Sequence, residues 1–198
     1  DGGVHPTANI TRAEVSAIFY RLLSDDARKQ YAATSSSFAD ANKSWAAAEI
    51  ATLTNAGILK GYTDGSFRPN AAITRAEFAS IAARFDKLSG GNKTFSDVPS
   101  NHWAYAAITS AAEKGWVNGY SDGTFRPDNA ITRSEVVKIT NAVLGRSCDK
   151  DYVAKNISKL TSYNDLSNTY WAYYDILEAS NAHDYKTASG VESWTGLK

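Results

Sequence analysis

The string Ile10-Thr11-Arg12-Ala13-Glu14 returns as Ile73-Thr74-Arg75-Ala76-Glu77 and as Ile131-Thr132-Arg133-Ser134-Glu135. A Thr followed three residues later by a Glu is a capping box, in which the two side chains satisfy backbone donors that a helix start leaves free. Thr11, Glu14, Thr74, Glu77, Thr132 and Glu135 are therefore read as structural caps. Arg12, Arg75 and Arg133 fall at the first helical position, outside both the cap and the apolar stripe that follows. A guanidinium beside the positive end of a helix dipole suits an anionic group, most simply a carboxylate or phosphate. The competing reading of these arginines is a plain salt bridge on the surface or between repeats.

The elements that must position these residues form an internal repeat. One full copy spans residues 38–88 and a second 95–145; residues 1–24 read as the second half of a copy and 163–187 as the first half of one. Connectors 25–37 and 146–162 interrupt them, and the second has room for a short extra helix. Each full copy opens with Phe-x-Asp (Phe38 to Asp40, Phe95 to Asp97) and continues with Trp45-Ala46 or Trp103-Ala104 into a first helix. Apolar residues recur there at helical spacing, Ile50 and Leu53 against Ile108 and Ala111, and Gly57 and Gly115 are placed to end it. A tight Asp-Gly turn follows in Gly61-Tyr62-Thr63-Asp64-Gly65-Ser66-Phe67-Arg68-Pro69 and its counterpart from Gly119 to Pro127. The capped second helix then carries Phe78, Ile81, Ala82 and Phe85, or Val136, Ile139, Thr140 and Val143.

The chain ends fit the same template. Asp1 to Pro6 aligns with Asp64 to Pro69, placing Val4 and His5 at the positions of Phe67 and Arg68, and Val15, Ile18, Phe19 and Leu22 repeat the second-helix stripe. Tyr163-Asn164-Asp165 stands for Phe-x-Asp, and Trp171-Ala172, Ile176 and Ala179 repeat the first helix, after which Thr187 aligns with Gly61 and Gly119. The pattern predicts a mainly α, pseudo-threefold assembly in a single domain over 1–198, the terminal halves packing together so that no solenoid end stays raw.

A zero net charge with 21 basic and 21 acidic residues removes the broad basic field of a nucleic-acid binder, and no polybasic membrane patch is present. No apolar run approaches the roughly 20 residues that cross a bilayer. Cys148 is alone, which excludes an intrachain disulfide and leaves the compartment open. The start at Asp1 and the lack of methionine mark an expected piece of a longer protein. His5, His102 and His183 are scattered without metal-ligand spacing and Cys148 lacks a neighbouring base, so neither catalysis, a metal nor a cofactor is expected. Asp64 and Asp122 are turn formers, because no loop repeats the alternating acidic ligands of a calcium hand.

The ordered set Phe-x-Asp, Trp-Ala, Gly-Tyr-x-Asp-Gly-x-Phe-x-Pro and Ile-Thr-Arg-Ala-Glu resembles the S-layer homology domain. The resemblance implies a three-lobed helical bundle that anchors bacterial surface proteins to the cell wall without a covalent bond. It also implies an extracellular location and an anionic, peptidoglycan-associated wall polysaccharide as partner, commonly carrying pyruvate ketals on N-acetylmannosamine. Carried over by motif, Arg12, Arg75 and Arg133 would meet the carboxylate; Trp45, Trp103 and Trp171 would stack on sugar, although a Trp opening an apolar helix is first read as core. Gly61 and Gly119 would let backbone approach the ligand, with Tyr62 and Tyr120 beside them. Two alternatives remain open on the residues: a protein-interaction scaffold using the inter-repeat grooves, and direct binding of peptidoglycan.

Overall fold

The computed structural model describes residues 1–88, 90–188 and 191–198. Among them are eight α-helices and one two-stranded sheet: α1 Arg12–Leu22, α2 Asp25–Gln30, α3 Ala47–Asn55, α4 Arg75–Phe85, α5 Tyr105–Glu113, α6 Arg133–Leu144, α7 Lys150–Asn156, α8 Tyr173–Ser180, and antiparallel strands β1 His183–Ala188 and β2 Val191–Leu197. The fold is mainly α, as expected from the helical spacing. The chain divides into two compact units, residues 9–131 and residues 1–8 with 132–198.

The capped helices begin where the repeated string places them. Thr11, Thr74 and Thr132 each accept from the amide three residues on, and Glu14, Glu77 and Glu135 bond back to the cap backbone. By contrast α3, α5 and α8 start behind Ala46, Ala104 and Ala172 with no side-chain cap, so packing must hold them. Packing runs across the sequence repeat: α3 lies on α1, α5 on α4 and α8 on α6. A repeat copied in the sequence is therefore offset by one helix from the pair that buries its apolar faces together.

In the unit formed by residues 9–131, the first residues of the three strings close a ring. Ile10 N–H donates to Ile131 O at 3.2 Å, Ile131 N–H to Ile73 O at 3.0 Å, and Ile73 N–H to Ile10 O at 3.0 Å. All three side chains are buried. Phe19 packs edge-on against Phe85 with ring centres 5.3 Å apart and against Phe78 at 5.7 Å, joining α1 and α4. Gly57 and Gly115 end α3 and α5 in the left-handed conformation, with φ of 75° and 74°.

In the other unit, the two ends of the chain meet. Val4 and His5 donate their amides to the Asp165 carboxylate at 2.8 and 2.7 Å, and Asn164 N–H reaches Gly2 O at 3.2 Å. The terminal half-repeats thus complete one another. Ile176 is buried on α8, but the expected Ala179 is exposed and Leu177 takes the core position instead. The segment aligned with Gly57 to Gly61 is not a turn. His183 occupies the place of the left-handed glycine, and the chain leaves as β1, paired from His183 with Leu197 to Ala188 with Val191. The hairpin's Trp194 joins Val153, Leu160 and Leu177 in a small core that seats α7 in the second connector.

Candidate functional site

The turn that follows each first helix is held by an aspartate from the opening Phe-x-Asp. Asp40 accepts from Phe67 N–H at 3.0 Å and Arg68 N–H at 2.7 Å; Asp97 accepts from Phe125 and Arg126, both at 2.7 Å; Asp165 does the same for Val4 and His5. These bonds hold the backbone of Arg68, Arg126 and His5 at φ of 58°, 57° and 50°, a left-handed conformation that costs a non-glycine residue about 1–2 kcal/mol. The Val4 amide, followed by that of His5, keeps the Asp165 carboxyl below its ordinary value; at Asp40, burial opposes ionisation and the Phe67 and Arg68 amides outweigh it. The aspartates were visible in the motif, yet their partners lie 27 or more residues away, so no local pattern disclosed the clamp.

The same turn carries a second repeated device. Arg68 Nη2 bonds Asp64 at 2.7 Å, Arg126 Nη2 bonds Asp122 at 2.9 Å, and His5 Nε2 lies 2.8 Å from Asp1. The hydroxyls and amides of Ser66 and Thr124 add to the arginines in holding Asp64 well below the carboxylate range and Asp122 at about 2. So restrained, Arg68 lies over the Tyr62 ring at 4.1 Å and Arg126 over Tyr120 at 3.9 Å. Arg12 also stands 4.8 Å from the Tyr62 centroid and Arg75 5.1 Å from that of Tyr120. Each tyrosine ring therefore has two guanidinium groups close to it.

The motif arginines are not the outward receptors that the sequence led us to expect. Arg12 is 4% exposed, its Nε donating to Phe67 O at 2.8 Å and Nη2 to Lys60 O at 3.0 Å, while Nη1 pairs with Glu77 at 3.1 Å. Arg75 is 7% exposed and repeats the pattern on Phe125 O and Asn118 O, both at 2.9 Å. Arg133 is half-buried and bonds Val4 O at 3.0 Å. The physical reason is that the turn presents carbonyls with no partner on their own segment, and a planar fork satisfies two at once. The helix-start amides are also taken: Arg12, Arg75 and Arg133 N–H donate to Ala71, Asn129 and Ala8 carbonyls at 2.9–3.0 Å. Glu77 does more than cap, since its Oε1 also accepts the Tyr62 hydroxyl.

Gly61 and Gly119 have an internal explanation as well. A Cβ at either would run into the ring of Phe38 or Phe95 and the carbonyl of Ser66 or Thr124, so close backbone packing demands glycine without any ligand. The tryptophans reverse the expectation of a core role. Trp45, Trp103 and Trp171 are 64%, 62% and 54% exposed, and the alanine after each is the buried member of the pair. Trp103 stacks on His102 at 5.7 Å, and Lys138 Nζ lies 5.3 Å from the centre of Trp171.

A cluster that sequence reasoning missed lies in the hairpin unit. Glu178, His183 and Glu192 are all buried, with ligand-type atoms within 4.8 Å of one another. Arg146 stands where a cation would, 2.7 Å from Glu178 Oε1 and 3.0 Å from Glu192 Oε2. His183 Nδ1 donates to Asn181 O at 2.6 Å, its Nε2 lies 2.9 Å from Glu192 Oε1, and its ring stacks on Trp194 at 3.8 Å. Trp194 Nε1 donates to Glu178 at 3.1 Å. These donors fit an internal ion network tying α8 to β1 and β2.

Among the described residues no helix is long and apolar enough to cross a membrane. The S-layer homology domain family matches residues 37–79 and 94–137. The chain is 38% identical over 212 residues to Cell surface glycoprotein 1 of Acetivibrio thermocellus, a match covering all of this chain and 9% of that protein. It is 37% identical over 188 residues to the Cellulosome-anchoring protein of the same organism, covering 91% of this chain and 40% of the relative. The Amylopullulanase of Thermoanaerobacterium thermosulfurigenes is 35% identical over 158 residues, or 76% of this chain and 8% of the enzyme. The chain spans less than half the length of each of these relatives.

Proposed function

This chain belongs to the S-layer homology domain family through its repeats at 37–79 and 94–137, and from that premise we propose that it anchors a larger surface protein to a bacterial cell wall by binding an acidic wall polysaccharide. The observation that carries the sugar reading is the exposure of Trp45, Trp103 and Trp171, one per repeat at the same motif position. Indole faces exposed at one repeated position offer platforms on which sugar rings stack through their C–H edges. The acidic character of the ligand is supported by the guanidinium groups gathered at the tyrosines, Arg12 and Arg68 at Tyr62 and Arg75 and Arg126 at Tyr120, of which Arg68 and Arg126 are exposed. A pyruvate ketal combines the needed carboxylate with an apolar methyl group on a sugar ring, which suits a guanidinium beside an aromatic.

Anchoring by this means needs no catalytic group, and the motif residues are engaged in caps, turn clamps and arginine bonds. A surface-anchoring relative and an enzyme share this segment, as expected of a module carried beside unrelated domains. Several weak sites on one polymer would add avidity. The experiment is retention on purified wall sacculi. Retention should vanish when the polysaccharide is stripped with peptidoglycan left intact, and should fall at least tenfold when Trp45, Trp103 and Trp171 are all replaced by Ala. Undiminished retention on stripped sacculi would establish direct peptidoglycan binding and overturn the proposal.

A further inference from the structure

Around Arg12 the fold gathers more positive charge than the repeat requires. Arg84 lies seven residues beyond Glu77 on α4, hence on the same helix face. Its Nη1 donates to Ile58 O at 3.3 Å, while Arg12 Nη2 donates to Lys60 O at 3.0 Å. Two guanidinium groups from two helices therefore dock on carbonyls only two residues apart, and the exposed Lys60 side chain leaves from the same segment. Glu77 pairs with Arg12, and Arg68 is matched by Asp64. Among the described residues Arg84 has no ion pair. Burial, and then the charge of Arg12, lowers its pKa, as expected of a cation held near a like charge without a counter-ion.

Of the two copies within residues 9–131 the excess belongs to this one; for the Arg133 copy the alignment puts Arg21 and Lys186 at the positions of Arg84 and Lys60. By the repeat alignment Lys60 becomes Asn118 in the second copy, and the helix position of Arg84 is Ala142 on α6. We propose that Arg84, with Lys60, is the specificity-determining residue that makes the Arg12 copy a stronger anion site than the Arg75 copy, so that an acidic sugar fills it first of the two. This rests on the acidic-polysaccharide reading above and deepens it, because it says which of these two copies binds first and which side chain decides. Arg84 acts through charge, as a half-buried cation whose repulsion with Arg12 an incoming carboxylate relieves.

The test is a chemical-shift titration of the full chain with pyruvylated N-acetylmannosamine, comparing the wild type with Arg84→Gln and Arg84→Lys. In the wild type, amides at 58–62 should reach half-saturation at about tenfold lower sugar than those at 116–120. Arg84→Gln should bring the two sets together and flatten the salt dependence of binding at 58–62, and Arg84→Lys should restore both. The melting temperature of Arg84→Gln should not fall, since one of two like charges is removed; a role in stability alone would lower it and leave the salt dependence unchanged. Equal saturation of 58–62 in the wild type and Arg84→Gln sinks the role of Arg84 while the sugar reading stands. No shift in any copy of the wild type sinks both.

Discussion

At the scale of single residues, the same side chain can be conspicuous in a sequence for reasons that have nothing to do with its visibility to a ligand. Arg12 stood out because neither the cap nor the apolar stripe used it, and the structure spends it on two carbonyls of a turn 48 and 55 residues away. The capping box itself was fully legible, because its partners are three residues apart and the chemistry is local. Exposure was not legible: Trp-Ala reads as a buried aromatic with a small neighbour, and only the helix phase reveals that Ala46, Ala104 and Ala172 face inward. Arg12→Ala would leave Glu77 without its cation, at side-chain exposures of 5% and 12%, and strip two carbonyls of their donor. We expect a loss of about 3 kcal/mol in denaturant unfolding, the range seen when one member of a buried pair is removed. Full stability in Arg12→Ala would show that the internal bonds contribute nothing to the fold. Binding studies on the motif arginines must therefore be read against folding, which favours Arg84 and the tryptophans as probes.

At the scale of elements, the helices were legible and the hairpin was not. Helical spacing, glycine caps and the capping box placed α1 and α3 to α6 because each signal lies within one or two turns. Strands β1 and β2 depend on a distant match, Arg146 and Trp194 with Glu178 and His183, for which no short motif exists. Arg146 is the hinge of that match, since it faces two carboxylates that are each 2% exposed in their side chains. Burial raises the pKa of Glu178, whereas Glu192 is held below its ordinary value because the bonds from Arg146 and His183 outweigh its burial. Without Arg146, both acids lose their main cation and Glu178 must rise further. A folded-state pKa above the unfolded one means that the fold favours the protonated acid, so the penalty is present at higher pH and fades as pH falls through the raised value. Arg146→Ala should accordingly destabilise by about 3 kcal/mol at pH 8 and by clearly less at pH 5, measured by urea unfolding at each pH. A loss that is the same at both pH values would mean that the cluster acts by packing alone.

At the scale of the whole molecule, the repeat has to be finished by its ends, and sequence and structure agree on how. The string Ile10, Ile73 and Ile131 forms a cyclic set of backbone bonds, which no two copies can complete without the third. Equally, the turn at Val4 and His5 needs an aspartate that the chain supplies only at Asp165, 160 residues later. That reading came from alignment of the half-repeats, because a repeat preserves spacing even where Phe67 has become Val4 and Arg68 has become His5. A fragment ending at residue 160 tests what the completion contributes. It removes Asp165 from the amides of Val4 and His5, α8 from the face of α6, and Trp194 from the core of Val153 and Leu160. Ile176 and Leu177 are almost fully buried, and each is worth about 1.5–3 kcal/mol of transfer free energy. With the two carboxylate-bound amides lost as well, the change approaches the 5–15 kcal/mol that stabilises a typical domain. Residues 132–160 should then lose the helicity of α6 and α7, seen as reduced far-ultraviolet circular dichroism and unprotected amides in hydrogen exchange. A fragment 1–160 that melts like the full chain would show that the ends merely touch and that each capped helix stands without its distant partner.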